Sequence, residues 1–127
     1  AAGGAPSYLY RFDYVPVVLR ARRQGTQHGA EIPFVFDSWN ALPAVAGLLQ
    51  PEDVAETATV HQCWVNFART GRPSCAGAPE WPAYAPDRDV LMHFAVPNRV
   101  ETGFDARVYD LLERALLPRA LGHAPTP

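Results

Sequence analysis

The chain has no lysine: all 11 of its basic residues are arginine, set against 13 acidic ones for a formal net charge of -2. With that balance nothing favours nucleic acid or an anionic membrane as a partner. The absence of lysine itself points to no mechanism. No apolar run approaches the roughly 18 residues of a membrane span. The two cysteines, Cys63 and Cys75, are too few for a disulfide framework, and their spacing fits neither a Cys-x-x-Cys redox pair nor a zinc site. Whether they are bonded is left open. Neither has a basic setting that would lower its pKa, which argues against a cysteine nucleophile. The first residues, Ala1–Pro6, lack the regions of a signal peptide and carry no Met. The chain reads as processed, truncated or excised from something longer, and its compartment is left open.

A length of 127 residues is that of one ordinary domain. At 48% hydrophobic and 19% charged, the composition is globular rather than disordered. Proline is abundant, at 13 residues, and clusters over Pro73–Pro86, where it marks an extended or turning segment.

Along the chain, Ser7–Tyr14 alternates, with Tyr8, Tyr10, Phe12 and Tyr14 on one face and Arg11 and Asp13 on the other, which predicts a strand. Residues 15–27 read as a long loop with Arg20, Arg22 and Arg23 solvated. Ile32–Phe36 is a short apolar stretch interrupted by Pro33, and Ser38–Leu49 is ambiguous, at most a short helix. Glu52–Thr70 is the clearest helix. Pro51 suits its first position, Glu52 and Asp53 its positive end, and Gly71 its stop. Val54, Thr57, Ala58, Val60, His61, Trp64, Val65, Phe67 and Ala68 span half its circumference, as in a well-covered helix. Val90–Val96 reads as a strand, Pro97-Asn98 as a turn and Arg99–Glu101 as the returning strand. Thr102 and Asp105 form a capping-box-like start to a last helix. Its apolar face holds Val108, Leu111, Leu112, Ala115 and Leu116, and Pro118 ends or kinks it. The tail from Gly122, with His123, is expected to fray.

The densest signal is Gln27–Phe36, where His28 lies between Gly25 and Gly29 on the C-terminal side of the first strand. In open α/β sheets that is the side where ligands sit. Histidine titrates nearest neutrality and is the usual proton carrier in catalysis. Flanking glycines let the backbone present the ring rather than bury it. His61 reads as a hydrogen-bonded core histidine, and His93 as a partly exposed strand residue. His28 and Glu31 do not have the His-Glu-x-x-His spacing of a zinc helix, so no metal is expected.

The run Gln27–Phe36 resembles the catalytic-histidine segment of the type-B carboxylesterases, a family that includes the cholinesterases. Three further segments resemble the same family, in the same order. They are Tyr8–Tyr14, Trp64–Pro73 (Trp-x-x-Phe-Ala-x-Thr-Gly-x-Pro) and Trp81–Tyr84 (Trp-Pro-x-Tyr). Together they cover about residues 7 to 96. Asp37 stands where the family often has glycine, and residues 15–22 match less closely.

The resemblance implies an α/β fold: the C-terminal portion of an α/β-hydrolase, with a strand, a histidine loop, helices, a small β-hairpin and a terminal helix. Residues 1–127 would then be a C-terminal segment and not a complete domain. It implies a serine esterase in which His28 is the catalytic histidine and Glu31 a supporting carboxylate that braces the loop. The Gly-x-Ser-x-Gly elbow is absent, since Ser7, Ser38 and Ser74 all lack that context. The nucleophile, the acid and the oxyanion hole would lie outside the chain. The implied partners are a small-molecule ester and the N-terminal part of the same enzyme, with no cofactor, nucleic acid or membrane. Tyr8–Tyr14 would be an interior parallel strand with both neighbours elsewhere, so the isolated chain is expected to self-associate. The alternative is a non-catalytic, cholinesterase-like interaction domain.

Overall fold

The structure, a computed structural model, describes the main chain over residues 4–120 and side chains over 4–116. The tail from Gly122, including His123, lies outside the described residues. Three strands form one sheet: β1 (Tyr10–Phe12), β2 (Val90–Phe94) and β3 (Arg99–Thr102), in the order β1-β2-β3. β1 runs parallel to β2, with Tyr10 opposite Met92 and Phe12 opposite Phe94. β2 and β3 are an antiparallel hairpin with Met92 opposite Val100. The helices are α1 (Ile32–Phe36), α2 (Pro43–Ala46), α3 (Pro51–Thr70) and α4 (Ala106–Ala120). The expectation that β1 would lack both neighbours is therefore corrected: the chain supplies one of them itself.

Alternation sets the two faces of the sheet. Phe12, Tyr14, Met92 and Phe94 point inward and join Phe34 and Val35 of α1, Val60 and Cys63 of α3, and Trp81 in one buried cluster. The Trp81 indole reaches β1 and donates to the Leu9 carbonyl at 2.9 Å. Aromatic rings meet edge-on or tilted across this core, such as Phe34 with Trp39 at 4.9 Å and Phe12 with Phe34 at 5.1 Å.

α3 has the expected ends. Pro51 opens it, the Asp53 carboxylate accepts the Gln50 N–H at 2.8 Å, and Gly71 closes it with φ 73°. Its buried face is not the expected apolar stripe. Asp53, Glu56, Thr57, Thr59, Val60 and Cys63 are buried, while Val54, Val65 and Phe67 are exposed. The polar residues are drawn in by partners from distant chain. Tyr14 donates to Asp53 at 2.8 Å, Asn98 to Glu56 at 2.8 Å, and the Trp39 indole to Thr57 at 2.9 Å. His61 lies at the margin of this face and meets the Val35 carbonyl at 2.8 Å through Nδ1. Cys63 and Cys75 are joined in a disulfide that ties α3 to the following Pro-rich loop.

Four further expectations are corrected. Arg20 is not simply solvated: it donates to Glu52 at 2.5 Å and to the Val15 carbonyl at 2.9 Å. Thr102 does not cap α4, because it belongs to β3 opposite Val90. The start of α4 is instead taken by Asp105, whose carbonyl accepts the Val108 N–H at 2.8 Å. Pro118 does not end α4, which continues to Ala120. His93, expected to be partly exposed, is only 5% exposed. It points to the outer face, but Asp13 meets its Nε2 at 2.8 Å, Glu101 its Nδ1 at 3.0 Å, and the Phe104 ring packs edge-on against it.

Candidate active site

His28 is carried by the long loop between β1 and α1. After β1 the chain turns back through a 3-10 turn at Val17–Leu19 and reaches Gly25 with φ 84°. The Thr26 hydroxyl donates to the Phe12 carbonyl at 2.9 Å. The Ala30 N–H then bonds to the Gln27 carbonyl at 3.1 Å and the Ile32 N–H to the Gly29 carbonyl at 3.2 Å. Gly29 has φ 75°, a conformation that costs a residue with a Cβ free energy. Pro33 sits in the first turn of α1, where its missing N–H is not needed.

These constraints leave His28 exposed at the tip of a tight turn. It borders two clefts. One, of about 340 Å³, is walled by Tyr14, Arg23, Phe34 and Trp39. The other, of about 330 Å³, is walled by Tyr10, Arg11, Phe12 and Glu31. Among the described residues, the His28 ring has no hydrogen-bonded partner. Such an imidazole can take or give a proton to a group brought to it. Ser7, Ser38 and Ser74 border neither cleft, so no hydroxyl of this chain is placed to receive that service.

Glu31 shares the second cleft with His28. Its main-chain carbonyl starts α1 by accepting from Phe34 and Val35 at 3.0 and 2.9 Å. Its carboxylate makes no hydrogen bond or ion pair among the described residues; the ties nearest His28 are those of the main chain, of Thr26 and of Arg23 with Gln27. The Tyr10 phenol is pushed above its ordinary pKa, first by burial and then by the Glu31 charge.

Sequence reading missed two features beside this loop. Thr26 stands fourteen residues from its partner Phe12, and no local pattern announces that pairing. The outer-face cluster of Arg11, Asp13, His93, Arg99 and Glu101 was visible only as the Arg11/Asp13 pair. Burial works against ionising Asp13, but hydrogen bonds from Arg11 and His93 outweigh it and hold its pKa below the usual value. Among the described residues no group of three or more His, Cys, Asp or Glu side chains is arranged to hold a metal ion, and no helix is long and apolar enough to cross a membrane.

A mixed sheet with helices on its inner face, and a histidine on the turn after a parallel strand, is a portion of an α/β-hydrolase fold. Solved esterases share it. A *Geobacillus stearothermophilus* carboxylesterase, EST55, aligns with TM-score 0.66 at 38% identity, over 84% of this chain and 22% of that one. A PNB esterase aligns with TM-score 0.70 at 26% identity, over 83% and 21%. The model of the carboxylesterase family matches residues 1–112. Liver carboxylesterase of *Sus scrofa* is 37% identical over 91 residues, which are 69% of this chain and 15% of that protein. Phenmedipham hydrolase of *Pseudarthrobacter oxydans* is 40% identical over 91 residues, 68% and 18% respectively. The chain belongs to the type-B carboxylesterase family, and it spans less than a fifth of the length of these two relatives.

Proposed function

We propose that this chain is the C-terminal segment of a serine carboxylesterase and that His28 is its general base and acid. The observation that carries the reading is the exposed His28 on a glycine-flanked turn at the end of β1, in a chain of this family. His28 takes the proton of a serine hydroxyl as that oxygen attacks the ester carbonyl. It then returns the proton to the departing alcohol, and water repeats the cycle on the acyl-enzyme. The serine, the triad acid and the oxyanion donors come from the N-terminal part of the same enzyme. Glu31 supports the turn only through its main-chain carbonyl and takes no part in proton transfer. The reaction calls for no cofactor.

The isolated chain is then inactive, because it lacks the positioned nucleophile and oxyanion donors that supply most of the acceleration. The open edge of β1 gives it a route to self-association. The test is to mix the chain with a separately produced N-terminal part that carries the nucleophile. Aryl-ester turnover should appear in the mixture, vanish with His28→Ala and be blocked by an organophosphate. Serine-reagent-sensitive turnover by the 127-residue chain alone would overturn the reading. A well-assembled mixture without turnover would favour the interaction-domain alternative.

A further inference from the structure

We infer that Thr26 is a positioning residue for His28, acting by fastening the histidine turn to the end of β1. The inference rests on the proposed role of His28 and extends it to a residue that touches no reacting atom.

The β1 main chain has a defined direction at its end. The Leu9 carbonyl accepts from Met92 at 3.0 Å, and the Asp13 N–H donates to Phe94 at 2.8 Å. Along a strand these groups alternate sides, so the odd-numbered residues face β2 and the even-numbered Tyr10 and Phe12 face the open edge. The Phe12 carbonyl is therefore not part of the sheet ladder within this chain. It is the acceptor that Thr26 takes, at 2.9 Å.

Two consequences follow for the site. First, the hydroxyl occupies the place that the N–H of a neighbouring strand would take at Phe12. Any strand laid along this edge by the rest of the enzyme must stop short of the histidine turn, which leaves the space above it free. Second, the turn gains a fixed point two residues before His28, anchored on a strand whose register is locked by β2. Of the other side-chain ties in the loop, the one nearest His28, Arg23 to Gln27 at 2.9 Å, is exposed and contributes little, and those of Arg20 and of Val17 with Asp53 lie earlier in the loop. Thr26 also borders both clefts that His28 borders, so its attachment decides where the ring stands between them.

A base displaced by an ångström loses rate and not substrate affinity. In the complete esterase, Thr26→Val keeps the side-chain shape and removes the donor. It should lower kcat by about 10- to 100-fold while KM stays within about twofold. Thr26→Ser keeps the hydroxyl and should stay within about threefold of the parent kcat. The Ala30 amide, held in the same turn, should exchange faster with solvent in Thr26→Val and at the parent rate in Thr26→Ser.

Three outcomes overturn the inference: parent kcat in Thr26→Val, a rise in KM in place of the fall in kcat, or equal losses in the valine and serine variants. If Thr26→Val does not fold, Thr26→Ala is read the same way, and parent kcat there also overturns it. His28→Ala separates the two levels. Retained activity in that variant sinks the role of His28 itself. Lost activity beside an unaffected Thr26→Val sinks only the role of Thr26.

Discussion

The Tyr14 hydroxyl donates to the Asp53 carboxylate at 2.8 Å, and neither side chain reaches solvent to any extent. Asp53 also accepts the Val17 N–H at 3.0 Å and the Gln50 N–H at 2.8 Å. One carboxylate thereby joins the end of the β1 segment, the start of the loop toward His28 and the first turn of α3. Burial, and then the hydrogen bond to Asp53, push the Tyr14 phenol far above its ordinary pKa, so it remains a donor at all working pH. Asp53→Ala strands three donors and should destabilise by about 3 kcal/mol or more. Tyr14→Phe leaves the two backbone donors in place and should cost about 1.5 kcal/mol. Urea unfolding curves measure both, and equal costs would show that Asp53 serves Tyr14 alone.

His28→Ala should lower kcat for a simple aryl ester by at least about 10³, leaving the contributions of binding and the oxyanion hole. Glu31→Gln should be much milder, since the Glu31 carboxylate has no hydrogen-bonded partner among the described residues. Steady-state kinetics on the complete enzyme decide it. More than a tenth of the parent kcat in His28→Ala would remove the residue from the mechanism.

Opposite pH responses are expected from two sets of carboxylates. Asp13 and Glu101 have folded-state pKa values below the ordinary range, Asp13 against the opposition of burial and Glu101 mainly through its bond to His93. Their contribution is present above the unfolded pKa and is lost as pH falls through the lower folded value. Glu56 is the reverse. Burial raises its pKa, and its Oε1 has no partner among the described groups, while Oε2 accepts from Asn98. Its contribution is present at low pH and is lost as pH rises through the raised value. Asp13→Asn should therefore lower the Tm more at about pH 7 than at about pH 3, whereas Glu56→Gln should improve relative to the parent over the same rise. A Glu56→Gln variant whose deficit grows with pH would contradict the assignment.

Asp37 closes α1 in the left-handed region, with φ 46° and ψ 46°. It stands where the family often has glycine, and the conformation explains why glycine suits the position. Asp37→Gly should stabilise by up to about 1 kcal/mol, read as a higher urea midpoint at unchanged m-value. A lower midpoint would mean that the aspartate contributes more than the backbone conformation costs.

The parts of the fold that were legible in the sequence are those whose causes are local. Pro51, Asp53 and Gly71 mark α3 because caps act within a few residues. The aromatic alternation marks β1, and two glycines mark the turn of His28. What escaped depends on distant partners. The α3 stripe was misjudged because Glu56, Thr57 and Asp53 are buried by Asn98, Trp39 and Tyr14, none of them a sequence neighbour. His93 looked exposed because strand alternation sends it outward, and no period reveals that Asp13, Glu101 and Phe104 close over it. The position of His28 was readable in the same way, from its own turn. Thr26, which fixes that turn to β1, was not.

The parallel pairing of Tyr10 with Met92 joins residues about 80 positions apart, and this imposes an order on synthesis. At about 5–20 residues per second, β1 leaves the ribosome roughly 4 to 16 seconds before its partner strand exists. α3 forms from local contacts in microseconds and is complete well before then. Asp53 is therefore within reach of Tyr14 while Met92 has yet to be made, so β1 can be moored to a helix before it joins a sheet. A ribosome stalled ahead of Val90 would hold a chain with a formed helix and a strand still waiting. In that interval the side of β1 that β2 will occupy has no partner from this segment.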